Sequence, residues 1–206
     1  VITNSGIVHV IDDDASWRVS VQRLMSAAGY VVSLYESAEV FLKTARRDSP
    51  GCILLDIRMP GLTGLQLQQR LAEDQQALPI IFLSGHGDIP TSVQAMKAGA
   101  EDFLTKPVET DVLFRAVEQA ITRSRRENAA RNEHDALQSR FEALTPTERK
   151  VLGLVVRGKL NKHIAIELGT AERTIKWHRH NLMVKLKVDS VAELVLLAEK
   201  LGLVGK

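Results

Sequence analysis

Short apolar runs alternate with segments of helical period over the first 120 residues. Five runs have the length and composition of buried strands, at residues 7–11, 31–35, 52–56, 79–84 and 101–105. Helical sequence follows each of them, from about Ala15 to Ala28, near 37–47, near 63–75, near 89–98 and from about Glu109. This alternation is typical of a parallel sheet covered by helices on both faces. An α/β domain with a five-stranded parallel sheet is therefore predicted over residues 1–120.

A long helical stretch follows this domain, and its character changes at about residue 121. Residues 111–121 place their apolar side chains on one face, as a helix that packs on a core does. Residues 123–140 are almost entirely polar, which is typical of a helix that bridges two domains through solvent. We predict an extended helical linker over 121–143. A coiled coil is disfavoured because polar residues fall where its seam needs apolar ones, at Ser124, Asn128 and Arg131.

The chain from residue 144 onwards carries strong helix boundaries. Thr145-Pro146-Thr147-Glu148 is a capping box with proline at the first helical position, and it opens a helix over 146–157. A short helix near 161–168 and a longer third helix follow, separated at Gly169. Two helices joined by a tight turn that contains glycine form a helix-turn-helix, whose second helix enters the DNA major groove. We predict an all-α DNA-binding domain over 144–206.

The third helix separates two faces when its residues are placed about 100° apart. One face is apolar except for a histidine and contains Ala171, Ile175, His178, Leu182 and Leu186. The opposite face is mostly basic or hydrogen-bonding and contains Arg173, Lys176, Trp177, His180, Val184 and Lys187. We interpret His178 as a packed structural residue. It points away from His180, so these two histidines do not share a metal ion.

Charge is distributed unevenly along the chain, although the formal net charge is only +2. Residues 1–120 carry 10 Lys and Arg against 15 Asp and Glu, whereas residues 121–206 carry 17 against 10. A basic helical half indicates nucleic acid as its partner. The acidic half needs a different function.

Cysteine content and hydropathy exclude several classes of protein. Cys52 is the only cysteine, which excludes an internal disulfide framework and favours a reducing cytoplasmic location. No apolar run approaches the roughly 18–20 residues of a membrane helix. Residues 1–10 lack the basic-then-apolar layout of a signal peptide. We therefore expect no association with a membrane.

Charged and hydroxyl residues stand where the predicted strands end. They are Asp12, Asp13 and Asp14 after the first strand, Asp56 on the third, Ser84 on the fourth and Lys106 after the fifth. In a parallel sheet these ends meet at one edge. Converging carboxylates repel one another, and their oxygens suit a hard cation, Mg²⁺ above all. A lysine and a hydroxyl nearby complete a site for a phosphoryl group, which one carboxylate attacks as nucleophile.

This set resembles the receiver domain of two-component response regulators, the CheY-like family with a flavodoxin-like fold. The resemblance is carried by Asp12-Asp13, Asp56-Ile57-Arg58-Met59-Pro60 with Gly64, Ser84-Gly85 and Lys106-Pro107. It implies that Asp56 accepts the phosphoryl group and that Mg²⁺ is the cofactor. The metal ligands it implies are Asp13, Asp56 and the backbone carbonyl of Arg58, with Asp12 assisting through water.

The same resemblance assigns roles to the remaining strand-end residues. Lys106 pairs with the acyl phosphate, Ser84 turns inward to bond it, and the bond between Lys106 and Pro107 is cis. Phe103 occupies the aromatic switch position, and without a hydroxyl its switching rests on packing. Asp14 is interpreted as the cap of the following helix.

The C-terminal part resembles the LuxR/FixJ-type helix-turn-helix along most of residues 144–195. The matching residues are Leu144-Thr145, Glu148-Arg149, Val151-Leu152, Gly158, Asn161-Lys162, Ile164-Ala165, Thr174-Ile175-Lys176, His178-Arg179, Asn181 and Lys185-Leu186. By resemblance and by helix face, three residues meet base edges: Lys176, Trp177 and His180. The residues expected at phosphates are Arg173, Asn161, Lys162, Arg179 and Lys185.

Together the halves resemble the FixJ/NarL family of response regulators, and the linker with residues 82–107 looks most like the StyR/TodT type. The resemblance implies a phosphorylation-activated transcription regulator that is not an enzyme, located in a prokaryotic cytoplasm. Its partners are a sensor histidine kinase, double-stranded promoter DNA and, when phosphorylated, a second copy bound through residues 88–110. A haloacid-dehalogenase-type phosphatase is disfavoured because Arg58 stands where that family needs a second aspartate. An RNA-binding antiterminator is the third alternative.

Overall fold

A computed structural model of the chain describes residues 4–73, 78–85 and 89–203, with the side chains of residues 4 and 5 excepted. The chain divides into two compact units, Val1–Ala129 and Ala130–Lys206. The strands are β1 (Asn4–Ile11), β2 (Tyr30–Tyr35), β3 (Gly51–Asp56), β4 (Ile80–Ser84) and β5 (Asp102–Thr105). The helices are α1 (Ala15–Ala27), α2 (Ala38–Thr44), α3 (Gly64–Ala72), α4 (Ile89–Lys97), α5 (Thr110–Glu142), α6 (Pro146–Val155), α7 (Asn161–Glu167), α8 (Glu172–Leu186) and α9 (Val191–Lys200).

The five strands form one parallel sheet in the order β2-β1-β3-β4-β5, which confirms the predicted fold class. Strand order reverses beside β1, because β2 lies on one side of it and β3 on the other. In doubly wound sheets the functional crevice opens at such a reversal, outside the carboxyl ends of the strands. The ends of β1, β3, β4 and β5 therefore bring their flanking residues to one edge.

Two apolar clusters cover the opposite faces of the sheet. One packs strand residues against α1 and α5 and includes Val10, Met25 and Val117. The other packs strand residues against α2, α3 and α4 and includes Phe41 and Leu67. Because both faces are covered, β3 and β4 are buried along their whole length. This burial explains why their sequences are continuous apolar runs.

Helix α5 packs on the α/β unit beyond the boundary predicted at residue 120. Ile121 is buried in the core cluster formed with α1. Ser124, which the sequence pattern assigned to a polar linker, is also buried, and its Oγ accepts a hydrogen bond of 3.1 Å from the backbone N–H of Gly51. This buried position tolerates a polar side chain because the hydrogen bond satisfies the hydroxyl group. The polar stretch of α5 therefore begins later than the predicted linker at 121–143.

The C-terminal unit is built from helices with well-defined ends. Thr145 and Glu148 form the predicted capping box, and Pro146 is the first residue of α6. Between α7 and α8 the chain turns at Gly169, whose φ of 62° lies in the left-handed region that favours glycine. A third apolar cluster joins these helices and also takes up Leu137 and Phe141 from the end of α5. The helix-turn-helix is thus held by its own core.

The two faces of α8 follow the predicted helical pattern with one correction. Ile175, Leu182 and Leu186 are buried in the core of the unit. Ala171 is exposed and serves as the N-cap, so it lies outside the buried face to which it was assigned. His178 is half-buried, as a packed residue would be.

No helix within the described ranges is long and apolar enough to cross a membrane.

Stability of the α/β unit is expected to depend on pH through one buried histidine. His9 on β1 is 1% exposed, its Nδ1 lies 3.1 Å from the Tyr35 hydroxyl, and its ring meets the edge of Phe41. Burial, assisted by the positive charge of Arg47, lowers the pKa of His9 from 6.5 to about 4. Between these two pH values the unfolded chain binds a proton that the folded unit does not bind. The resulting stability is present above pH 6.5 and is lost as pH falls toward 4.

We expect His9→Leu to remove this acid sensitivity. The stability difference between wild type and variant should change by on the order of 3 kcal/mol between pH 7.5 and pH 4. Urea unfolding followed by Trp17 fluorescence in a Trp177→Phe background measures it. Exposed His163 provides the control, since His163→Leu should leave the pH slope of this unit unchanged. An equal acid slope with and without His9 would contradict the prediction.

Candidate phosphoryl site and DNA-binding surface

The strand ends enclose a cavity of about 200 Å³ at the carboxyl edge of the sheet. It is lined by Asp12, Asp13, Asp14, Asp56, Arg58, Ser84, Gly85 and Lys106. Seven residues were predicted from the sequence for the phosphoryl site. Six of them line this cavity, and Phe103 does not. The convergence follows from the parallel register, because β1, β3 and β4 are neighbours and end at the same edge.

Lys106 is the central cation of this cavity. Its Nζ donates hydrogen bonds of 2.6 Å to Asp12 Oδ2 and 2.6 Å to Asp56 Oδ1. The side chains are 19% exposed for Lys106, 2% for Asp12 and 11% for Asp56, so water screens these ion pairs weakly. Burial lowers the pKa of Lys106, but its two carboxylate partners outweigh burial and raise the pKa above its ordinary value. The ammonium therefore stays charged.

Asp12 is held by several groups from its own neighbourhood. Its Oδ1 accepts the Asp14 backbone N–H at 3.0 Å, and its backbone carbonyl accepts a 2.6 Å hydrogen bond from Arg18. Burial raises the pKa of Asp12, while the hydrogen bonds from Lys106 and Asp14 oppose that rise. Asp14 itself caps α1 by accepting the backbone N–H groups of Ser16 and Trp17, which confirms its interpretation as a cap.

Asp56 and its surroundings present the remaining predicted groups. Asp56 Oδ2 accepts the backbone N–H of Arg58 at 2.7 Å, which folds the chain after β3 back toward the carboxylate. Ser84 is buried at the end of β4, and its carbonyl accepts the Lys106 backbone N–H at 2.7 Å. The bond between Lys106 and Pro107 is cis, as the resemblance implies. Asp13 is exposed at the cavity mouth.

The donor set of the cavity fits a hard divalent cation. Four aspartates and two cationic residues line it, which leaves a formal excess of two negative charges. The available ligands are carboxylate, hydroxyl and backbone oxygens, and oxygen is the ligand atom that Mg²⁺ prefers. Across the described parts of the chain, no three His, Cys, Asp or Glu side chains form a metal site by themselves. A cation bound here would therefore also take backbone carbonyl and water oxygens.

Three residues that sequence reasoning missed also act on this site. Glu39 on α2 accepts the Leu62 backbone N–H at 2.8 Å and so ties down the loop after Asp56. Arg18 donates a hydrogen bond to the Asp12 backbone carbonyl, and the Lys106 Nζ atom lies 5.0 Å from the centroid of the Trp17 ring. The cap at Asp14 placed α1 beside the site, but no local signal showed which side chains of α1 or α2 reach it.

Phe103 is half-buried on β5 and packs with the cluster on the α2–α4 face. Its ring centroid lies 6.4 Å from that of Phe82 at a tilt of 37°. An aromatic side chain in this position can change its packing without breaking a hydrogen bond.

The helix-turn-helix presents an exposed basic surface. Arg173, Lys176, Trp177 and His180 are all exposed on α8, and Lys162 is exposed on α7. Trp177 is 60% exposed, which is unusual for a large aromatic side chain and typical of a binding surface. Glu172 lies 3.3 Å from Lys176 in a pair that is largely exposed to water.

The other residues expected at phosphates have partners within the unit. Arg179 donates a 2.6 Å hydrogen bond to Asn161 Oδ1, which joins α8 to the start of α7. Lys185 pairs at 2.7 Å with Glu148 Oε2, and that carboxylate is 3% exposed. The positive charge of Lys185 is therefore committed to a buried carboxylate, a role that helical spacing did not predict. Asn161 and Arg179 are positioned by each other.

A receiver-type α/β unit and a helix-turn-helix unit on one chain define a response regulator with a DNA-binding output. Comparison with family models agrees: residues 8–118 match the response regulator receiver domain, and residues 142–198 match the bacterial regulatory proteins of the luxR family. The chain belongs to the FixJ-type, StyR/TodT-like response regulators and is a phosphorylation-activated transcription regulator.

Several relatives match along nearly the whole chain. The response regulator protein TodT of Pseudomonas putida is 41% identical over 96% of this chain and 87% of its own length. The transcriptional regulatory protein FixJ of Bradyrhizobium diazoefficiens is 42% identical over 99% of this chain and 100% of its own. The structure of response regulator StyR has a TM-score of 0.89 at 46% identity, covering 95% of this chain and 99% of that one.

Loss of the Lys185 charge should destabilise the C-terminal unit more than loss of an exposed lysine. Lys185→Met leaves the buried Glu148 carboxylate without its cation, at a cost of about 1–3 kcal/mol since Lys185 is itself partly exposed. Lys162→Met removes an exposed charge and should cost less than about 0.5 kcal/mol. Urea unfolding of both variants, followed by Trp177 fluorescence in a Trp17→Phe background, compares them. Equal stabilities would refute the structural role of Lys185.

Proposed function

We propose that Asp56 is the phospho-acceptor of this regulator and that a sensor histidine kinase is the donor. The observation that carries the proposal is the pairing of Asp56 with Lys106 at 2.6 Å in a cavity lined by further carboxylates. In the transfer, a carboxylate oxygen of Asp56 attacks phosphorus, the new O–P bond forms, and the N–P bond to the kinase histidine breaks. The side chain of Asp56 is 11% exposed and that of Asp12 only 2%, so Asp56 is the better placed nucleophile.

The residues around Asp56 each have a distinct part in this proposal. Lys106 neutralises negative charge and holds the acyl phosphate, while the Ser84 hydroxyl donates a hydrogen bond to it. The residues that would hold Mg²⁺ are Asp13, Asp56 and the backbone carbonyl of Arg58, with Asp12 assisting through water. When bound, Mg²⁺ supplies positive charge to the phosphoryl oxygens.

Phosphorylation would act by shifting the balance between two packings of the unit. The added phosphoryl group draws Lys106 and Ser84 toward itself, and the half-buried Phe103 repacks near Phe82 in response. This rearrangement would alter the surface formed by α4 and β5.

We propose that this surface, residues 88–110, joins two phosphorylated copies. Three exposed apolar residues on α4 support the proposal: Ile89 is 78% exposed, Val93 44% and Met96 45%. If a second copy covers these apolar side chains, their removal from water stabilises the dimer. Residue 88 itself lies outside the described residues.

For the output, we propose that two helix-turn-helix units bind promoter DNA at half-sites about one helical turn apart. Lys176, Trp177 and His180 would meet base edges in the major groove, and Arg173 and Lys162 would contact phosphates. Asn161 and Arg179 would reach a phosphate as a pair. Lys185 would contact a phosphate only through the exposed part of its side chain, because its ammonium pairs with Glu148. We infer a cytoplasmic location from these two partners.

Replacing Asp56 by Asn should abolish phosphorylation, because the neutral amide oxygen is a far weaker nucleophile than a carboxylate oxygen. Wild-type protein incubated with acetyl phosphate and Mg²⁺ should gain the mass of one phosphoryl group, and Asp56→Asn should gain none. Intact-protein mass spectrometry measures the gain, and light scattering of the same samples should show dimers only for the phosphorylated protein.

Asp48→Asn is the control for this experiment, because Asp48 is exposed and lies outside the cavity. Equal phosphorylation of Asp56→Asn and wild type would refute the assignment. Steady hydrolysis of a phosphate ester would support the phosphatase alternative instead.

Substitutions on α8 should separate base contacts from phosphate contacts. Lys176→Ala should weaken binding to the preferred DNA sequence by about 1–3 kcal/mol and relax specificity at one position. Arg173→Ala should weaken binding to all sequences alike and reduce the slope of log K against log salt by about 1. Fluorescence anisotropy with selected and scrambled duplexes at several salt concentrations measures both effects.

Lys150→Ala, on the exposed side of α6, serves as the control and should change neither quantity. A salt-independent affinity would refute the DNA proposal, and stronger competition by RNA than by duplex DNA would favour the antiterminator alternative.

A further inference from the structure

The first turns of α1 lie against the phosphoryl site at two points. Arg18 donates to the Asp12 carbonyl at 2.6 Å. The Trp17 ring lies against Lys106, with the Nζ atom 5.0 Å from the ring centroid. This distance is within the range of about 6 Å in which a cation is attracted by the face of an indole ring. The Lys106 ammonium thus has an aromatic neighbour in addition to its two carboxylates.

The contact uses the ring of Trp17 and not its polar atom. Trp17 packs at the margin of the apolar cluster shared with α5. Its Nε1 atom is buried, and it finds no hydrogen-bond partner among the described groups. Burial of an unpaired N–H costs free energy, which a leucine in this position would avoid. The property that an indole adds here is the electron-rich face directed at Lys106.

An aromatic face suits a cation whose hydrogen bonds must be exchanged. Lys106 donates to Asp12 and Asp56 in this structure, and once Asp56 is phosphorylated Lys106 must bond a phosphoryl oxygen instead. Hydrogen bonds constrain both distance and angle, whereas the attraction to a ring face varies slowly with small displacements. The ring can therefore hold the ammonium in place before, during and after the exchange.

We propose that Trp17 is a positioning residue for phosphoryl transfer, which holds the Lys106 ammonium over the reacting carboxylate of Asp56. The proposal rests on the proposed role of Asp56 as acceptor. In the test reaction, the Asp56 oxygen forms the new O–P bond, and acetate leaves with the electron pair of the broken O–P bond of acetyl phosphate. Trp17 takes no part in bond making.

The test is a double-mutant cycle between Trp17 and Lys106. The rate of phosphorylation by acetyl phosphate and Mg²⁺ is measured by intact mass for Trp17→Leu and Trp17→Phe, each with Lys106 present and with Lys106→Met. In the presence of Lys106, Trp17→Leu should slow the reaction about threefold to tenfold, and Trp17→Phe should stay within about twofold of wild type because it keeps a ring face. In the Lys106→Met background, Trp17→Leu should change the rate by less than about twofold, because no cation remains to be held.

Val19→Ala, an exposed change on the same helix, is the control and should leave the rate unchanged. The proposal would be overturned if Trp17→Leu slowed phosphorylation equally in both backgrounds, or if Trp17→Phe slowed it as much as Trp17→Leu. Trp17 would then be a packing residue. These outcomes differ from a failure of the proposed function, in which Asp56→Asn is phosphorylated like wild type.

A second measurement does not require Trp17 to be replaced. In a Trp177→Phe background, Trp17 is the only tryptophan of the chain. Its emission should change on phosphorylation and on Lys106→Met, and the phosphorylation response should be lost with Asp56→Asn. If Lys106→Met left the Trp17 emission unchanged, the proposal would be overturned even if Trp17→Leu did not fold.

Discussion

The ammonium of Lys106 makes the carboxyl edge of the sheet possible. Asp12 and Asp56 are both buried at neighbouring strand ends, and two carboxylates in that position repel each other strongly. Lys106 donates to both at 2.6 Å, and its raised pKa shows that the two carboxylates more than repay the cost of burying the ammonium. Without this cation from the end of a different strand, the two carboxylates would repel each other across the cavity.

The same principle operates in the C-terminal unit with a different result. Glu148 is 3% exposed and is satisfied by the α6 capping box and by Lys185 from α8. Here the pair is closed, since the carboxylate is bonded by the cap of its own helix and by Lys185 of α8. At the sheet edge, by contrast, exposed Asp13 and the cavity beside Asp56 leave room for a cation and a phosphoryl group. A buried ion pair closes the core of the C-terminal unit, whereas in the α/β unit it borders the cavity at which we propose phosphorylation.

The structure shows where the negative charge of the acidic half and the positive charge of the basic half are concentrated. Negative charge collects at a cavity that a divalent cation fits, and positive charge lines the exposed face of α8 beside Trp177. On the basic unit the charge has the sign that the phosphates of DNA attract, and on the acidic unit it has the sign that attracts a cation. The relative FixJ of Bradyrhizobium diazoefficiens is named a transcriptional regulatory protein, which agrees with the nucleic-acid partner that the basic half indicated.

The sequence by itself indicated the elements, their order along the chain and the edge at which Asp12, Asp56, Ser84 and Lys106 meet, because hydrophobic period is a local property and parallel strands end at a common edge. It also determined the basic face of α8. The order of the strands within the sheet came only from the tertiary structure. Only the tertiary structure decided which polar groups become partners: Ser124 with Gly51, Lys185 with Glu148, and Trp17 with Lys106. These pairs join residues 37 to 89 positions apart, as their numbers show, and helical or strand spacing carries no information at that range. Their positions follow from how whole elements pack, which a single sequence does not record.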